Sequence, residues 1–234
     1  MTSESTAEMA KRLMLSVIRG DIAVVRQYLD TGGDPNLPEK GGMTALMWAA
    51  AEGQLEIARL LLERGADINA KTDNGYSPVL YAAEGDRRDF IELFWENGAD
   101  INVLNPYRET LLMIFARNGH ADLVNDVLDR GADIHAGNHI NDTALYLAAH
   151  NGHAHVVRTL VERGGNVNTA NIGGWTPLMT AAARGDLDTL ELLLANGAEV
   201  NVKNAWGATP LSEAKKSFRA ARAAELLQRA GAEG

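Results

Sequence analysis

Cysteine is absent from this 234-residue chain, which excludes disulfides, zinc–thiolate sites and cysteine nucleophiles together. No apolar run approaches the length needed to cross a bilayer. Lysine and arginine form no run that could track a phosphate backbone. With 22 of them against 31 Asp and Glu, the net charge is −9. Neither nucleic acid nor membrane is expected as a partner; another protein, with a basic surface, suits that charge better. The opening residues MTSESTAEMAKRLMLSVIRGD lack the basic start, apolar stretch and cleavage site of a secretion signal, so the expected compartment is the cytoplasm. Catalytic signatures are missing too: there is no G-x-S-x-G elbow, no phosphate-cradling G-x-x-x-x-G-K-[ST] loop and no H-E-x-x-H helix.

What the chain does have is a period. Thr44, Ser77, Thr110, Thr143, Thr176 and Thr209 recur every 33 residues. A fixed period of this size marks a solenoid, in which one supersecondary unit is stacked on copies of itself.

The stretch TALMWAAAEGQLEIARLLLERGADINAKTDN shows what one unit does. Thr44 suits an N-cap, its hydroxyl accepting from an amide of the first turn. Proline follows the hydroxyl residue at Pro78, Pro177 and Pro210, where a helix needs no amide hydrogen. A short helix through Leu46, Ala49 and Ala50 should stop at Gly53. A second, from about Leu55 to Arg64, should stop at Gly65, with Ile57, Ala58, Leu61 and Leu62 at helical spacing. The following Gly, Asp and Asn residues favour tight turns. Met47, Leu80, Met113, Tyr146, Met179 and Ser212 share one column and read as apolar repacking between neighbours.

GWTPLMTAAARGDLDTLELLLANGAEVN and GYSPVLYAAEGDRRDFIELFWENGADIN resemble ankyrin repeats, whose pattern is G-x-T-P-L-H-x-A-A-x-x-G-H, a helix, and G-A-D-x-N. The resemblance implies an all-α, ankyrin-type α-solenoid of helix-turn-helix units joined by hairpin-like loops, with a concave groove. Residues 1–234 then form a single domain. A capping repeat (8–40) leads into inner repeats at 41–73, 74–106, 107–139, 140–172 and 173–205, and a C-terminal capping repeat (206–234) closes the array. The end units replace apolar positions with charge: Lys11 and Arg12 at one end, Glu213, Lys215, Lys216, Arg219 and Arg222 at the other. Those residues are expected to form solvated caps.

Exceptions to the period draw attention. Arg108 and Asn141 stand where Gly75, Gly174 and Gly207 occupy the hairpin, and Asp86 stands at an inter-helix glycine. Arginine tolerates positive φ poorly, so the turn at Pro106–Tyr107–Arg108 is expected to be shaped differently and to be the least regular of the array. All six histidines lie between His120 and His155, yet no pair shows the i, i+4 spacing of a helical metal site, and neither metal nor cofactor is expected. A pH-dependent softening of the fourth and fifth units is the expected consequence of the histidines.

The family resemblance also implies where a partner would bind: hairpin tips and first-helix faces. On the hairpins these are Tyr76, Pro106, Tyr107, Arg108, His139, Ile172, Trp175 and Trp206. On the first helices they are Trp48, Tyr81, Ile114, Arg117, Leu147 and His150. Trp, Tyr and Arg dominate interface energetics. The expected function is a non-catalytic, monomeric protein-interaction module. Two other readings stay open: an engineered or reconstructed scaffold with no natural ligand, and a metal or enzyme site centred on the histidines.

Overall fold

A computed structural model describes residues 6–216 and 220–233. Its contacts divide into two compact units, with the division between Pro106 and Tyr107. Among the described residues there are fourteen helices and no strand; Gly137 and Thr143 form an isolated antiparallel bridge.

The first unit holds α1 (Thr6–Ile18), α2 (Ile22–Asp30), α3 (Ala45–Glu52), α4 (Leu55–Glu63), α5 (Pro78–Glu84) and α6 (Arg88–Glu96). The odd-numbered helices pack side by side in one layer, and the even-numbered ones in another. Ala49, Ala50, Ala82 and Ala83 are buried in the first layer, where small side chains allow close approach. Ile57, Ala58, Leu61, Ile91 and Phe94 fill the space between the layers; Leu62 and Trp95 are half-buried at its margin. Leu60 and Leu93 are also buried.

Local chemistry sets the ends of the elements. Thr44 takes an extended N-cap conformation and accepts from the Met47 amide at 3.4 Å. Gly53 ends α3 in the left-handed region, at φ 76°. Ser77 does not repeat the cap: its hydroxyl is buried without a partner. Beyond the second helices, asparagines clamp one loop to the next. The Asn36 side-chain amide donates to the Gly65 carbonyl (3.0 Å), and its oxygen accepts from the Asp67 amide (2.7 Å). Asn69 does the same to Gly98 and Asp100. Both backbone groups are satisfied by a single side chain.

The second unit holds α7 (Leu111–Asn118), α8 (Ala121–Asp129), α9 (Ala144–Asn151), α10 (Ala154–Glu162), α11 (Pro177–Arg184), α12 (Leu187–Ala195), α13 (Pro210–Lys216) and α14 (Ala220–Arg229). It has the same two layers. Here the hydroxyl caps are uniform: Thr110, Thr143, Thr176 and Thr209 each accept from the amide three residues on. Asn168 and Asn201 repeat the loop clamp, and His135 takes that position after α8.

The turn at Pro106–Tyr107–Arg108 corrects an expectation. Arg108 adopts φ 59°, within the left-handed region used by Gly174 and Gly207, and Asp86 and Asn141 do likewise at 59° and 61°. The turn keeps its shape against the residue's preference. A left-handed L-residue costs roughly 1–2 kcal/mol, and the packed helices that follow the turn outweigh that amount.

Candidate interaction surface

One column decides what the first helices present. It runs through Trp48, Tyr81, Ile114, Leu147, Thr180 and Glu213, each 33 residues from the last. In the first unit it is half-open. Trp48 is half-buried, and its indole N–H donates to a Glu39 carboxylate oxygen at 3.2 Å. Tyr81 is also half-buried, with its ring 5.2 Å from that of Tyr76 at 35°. Partial burial raises the Tyr81 phenol above its ordinary pKa, so the hydroxyl remains a neutral donor and acceptor at any physiological pH.

In the second unit the column closes. Ile114 is fully buried, which removes it from the candidate surface: it is a core residue of α7. Leu147, Thr180 and Glu213 are buried as well. Glu213 therefore departs from the solvated cap expected of it, and it pairs with Lys216 at 2.6 Å. Lys215 and Arg222 are exposed, and Arg219 lies outside the described residues.

Polar networks occupy the flank of that closed column. Glu109, preceding the α7 cap, is buried and receives both contacts of Arg117 Nη1, at 2.7 and 3.0 Å. Arg117 thus has a structural partner within its own helix segment. One period on, Asp142 and His150 hold the same two positions. Asp142 accepts from the Asn171 side-chain amide at 2.9 Å and is buried. Burial pushes its carboxyl above the usual range, only partly offset by the Asn171 bond and by nearby His150. The Tyr146 phenol is pushed up to about 12, first by burial and then by the Asp142 charge. His150 is exposed and stacks on Tyr146, with centroids 5.9 Å apart and planes at 14°.

The hairpin residues sit further out. Tyr107 is 67% exposed and Trp206 75%. Arg108 and His139 are exposed, and Trp175 is half-buried. Ile172, before Gly173, is exposed as its hairpin position implies, and one further exposed side chain was missing from the sequence-derived set: Ile140 on the His139 turn. Isoleucine in a turn breaks the polar rule for loops, and that was the available signal.

Two further histidines, His153 and His155, brace the backbone. His153 Nε2 lies 2.9 Å from the Arg117 carbonyl, and His155 Nε2 lies 2.8 Å from that of Gly119. Both meet the C-terminal carbonyls of α7, which an imidazole N–H can satisfy. Among the described residues, no three His, Asp or Glu side chains converge on a point where a metal could sit. Nor is any described helix long and apolar enough to cross a membrane.

Paired helices in two layers, threonine caps, left-handed inter-helix glycines and asparagine loop clamps together define an array of one repeated unit. The family model "Ankyrin repeats (3 copies)" matches residues 13–105 and again 112–204, most of the chain. The chain belongs to the ankyrin repeat family. Among solved structures it is similar to the human ASB11 ankyrin repeat domain, with a TM-score of 0.80 at 23% identity, covering 95% of this chain and 98% of that one. That likeness concerns the fold. No curated protein matches the sequence.

Proposed function

We propose that this chain is a non-catalytic protein-interaction module, working in the cytoplasm as a monomer and holding a partner on the groove side of its repeats. Ankyrin repeats are in general protein–protein interaction modules. The observation that carries the reading here is the half-open aromatic set of the first unit. Trp48, Tyr76 and Tyr81 leave part of their rings in water although each stands on a well-formed helix or turn. The column of Trp48 and Tyr81 is buried aliphatic or polar in the second unit, so the fold does not require large, partly exposed rings there. Burying such rings against a partner is the largest gain open to a surface of this kind.

The partner is a protein with a basic surface. The first unit contains 17 Asp and Glu against 10 Lys and Arg. Glu39 stands beside Trp48, and exposed Glu84 ends α5, so incoming lysine or arginine would find carboxylates next to aromatic faces. In the second unit His150 and Trp175 remain as contact residues for this partner. Affinity capture with the full chain, followed by titration of the recovered protein, tests the reading. Trp48→Ala and Tyr81→Ala should each weaken that partner about tenfold or more while leaving the thermal midpoint within a few degrees. Unchanged affinity per folded molecule in both variants overturns the assigned face.

A further inference from the structure

The second unit carries an apolar stripe that neither its core nor its first-helix face uses. Tyr107, Ile140 and Trp206 fall in one column of successive hairpin tips, with Gly173 between the last two and Ile172 beside it. Their exposures are 67% for Tyr107, 45% for Ile140, 73% for Ile172 and 75% for Trp206. In the first unit the same column holds Gly41 and Asn74, so the stripe belongs to the second unit alone.

The tips are tied to one another. The His139 amide donates to the Tyr107 carbonyl (3.4 Å), the Ile172 amide to that of Ile140 (2.9 Å), and the Ala205 amide to that of Gly173 (3.0 Å). Each hairpin is thereby held in register with the next, and the apolar side chains form a fixed row. Gly173 completes it. A Cβ there would lie 3.3 Å from the outer indole carbons of Trp206, so glycine leaves the indole room to lie along the row. A row of this kind costs solubility and contributes nothing to the core, and such patches mark interaction sites.

Charge indicates what covers it. Tyr107–Arg108 and the turns at 136–141, 169–174 and 202–207 contain no Asp or Glu, in a chain with 31 of them. They contain Arg108, His139 and Lys203, all exposed. The acids that follow the first two turns, Glu109 and Asp142, are buried and bonded to Arg117 and Asn171. A basic segment laid along the row would meet fixed cations and no accessible carboxylate on these turns. An acidic one would be steered onto it.

We infer that the hairpin tips of the second unit dock a protein segment in which aromatic or aliphatic side chains alternate with Asp or Glu. This rests on the interaction-module reading and adds a second surface of opposite charge preference. The test is a selection of displayed random peptides against the full chain, followed by titration of the enriched sequences. Enrichment in acidic and apolar residues is expected. Binding should fall about tenfold in Trp206→Ala with Ile172→Ser, and in Lys203→Glu with Arg108→Gly, which suits the left-handed backbone at that turn. Trp48→Ala and Tyr81→Ala should leave it unchanged. Enrichment of basic peptides, no enrichment over the starting pool, or binding to phosphatidylserine vesicles in place of peptides each overturns the inference. Peptides that respond only to Trp48 and Tyr81 overturn it too, while leaving the module reading intact.

Discussion

The two units share their helices, caps and loop clamps, yet they expose different chemistry. In the first, large aromatic rings stand half-open on the first-helix face, the hairpin tips carry glycine and asparagine, and acids outnumber bases 17 to 10. In the second, that face is closed by Ile114 and Leu147 and flanked by buried ion and hydrogen-bond networks. Its apolar side chains have moved to the tips, and the charges nearly balance, 14 acidic to 12 basic. A repeat scaffold fixes which columns hold the stack together and leaves the others free. The difference between the units lies almost wholly in those free columns.

The sharpest way to break the comparison is to shorten the same column in each unit. Ile114→Ala empties a fully buried site and should cost about 3 kcal/mol in denaturant unfolding. Tyr81→Ala, at a half-open site, should cost half of that or less. Equal losses would mean that the two faces do not differ. Ion pairs offer a second contrast. Arg117→Ala removes the ion-pair partner of the buried Glu109 carboxylate and should cost about 2 kcal/mol. Arg64→Ala removes an exposed pair with Asp30, and urea titration should register less than about 1 kcal/mol.

Smaller effects concern caps and protons. Thr143→Ala removes an N-cap bond and should lower stability by about 1 kcal/mol, whereas Ser77→Ala removes a hydroxyl that caps nothing and should be close to neutral. Asp142 is the last case. Its folded carboxyl ionises above the ordinary range, so the folded state disfavours the charge, and stability falls as pH rises through that range. Asn cannot ionise but keeps an oxygen for Asn171. Asp142→Asn should therefore melt higher than the parent at neutral pH, and the gap should close as pH drops below the carboxylate range in parallel thermal scans.

Much of the fold was legible in the sequence because the stack repeats its own evidence. Thr44 and Gly53 announce a helix start and stop in one unit, and Thr143 and Gly152 announce the same again. The surface was less legible. Ile114 shares a column with Trp48 and Tyr81, and periodicity cannot say that a smaller side chain at that place is covered while a larger one protrudes. Glu109 and Arg117 look like surface charges until their pairing is seen. Arg108 misled in the other direction: its dislike of positive φ is real, but the stacking of the hairpins overrules it. Ile140 and Ile172 were visible as isoleucines in turns, and what made them a surface was their alignment with Tyr107 and Trp206 through inter-hairpin hydrogen bonds.

The central claim is that the half-open aromatics of the first unit are there to bind. The most direct measurement is the affinity of the captured partner for Trp48→Ala with Tyr81→Ala, made alongside the thermal midpoint of the same variant. Affinity reduced by about a hundredfold with the midpoint lowered by only a few degrees is the predicted result. Full affinity in the molecules that remain folded, with a midpoint that collapses, would show that these rings serve the core and would contradict the account.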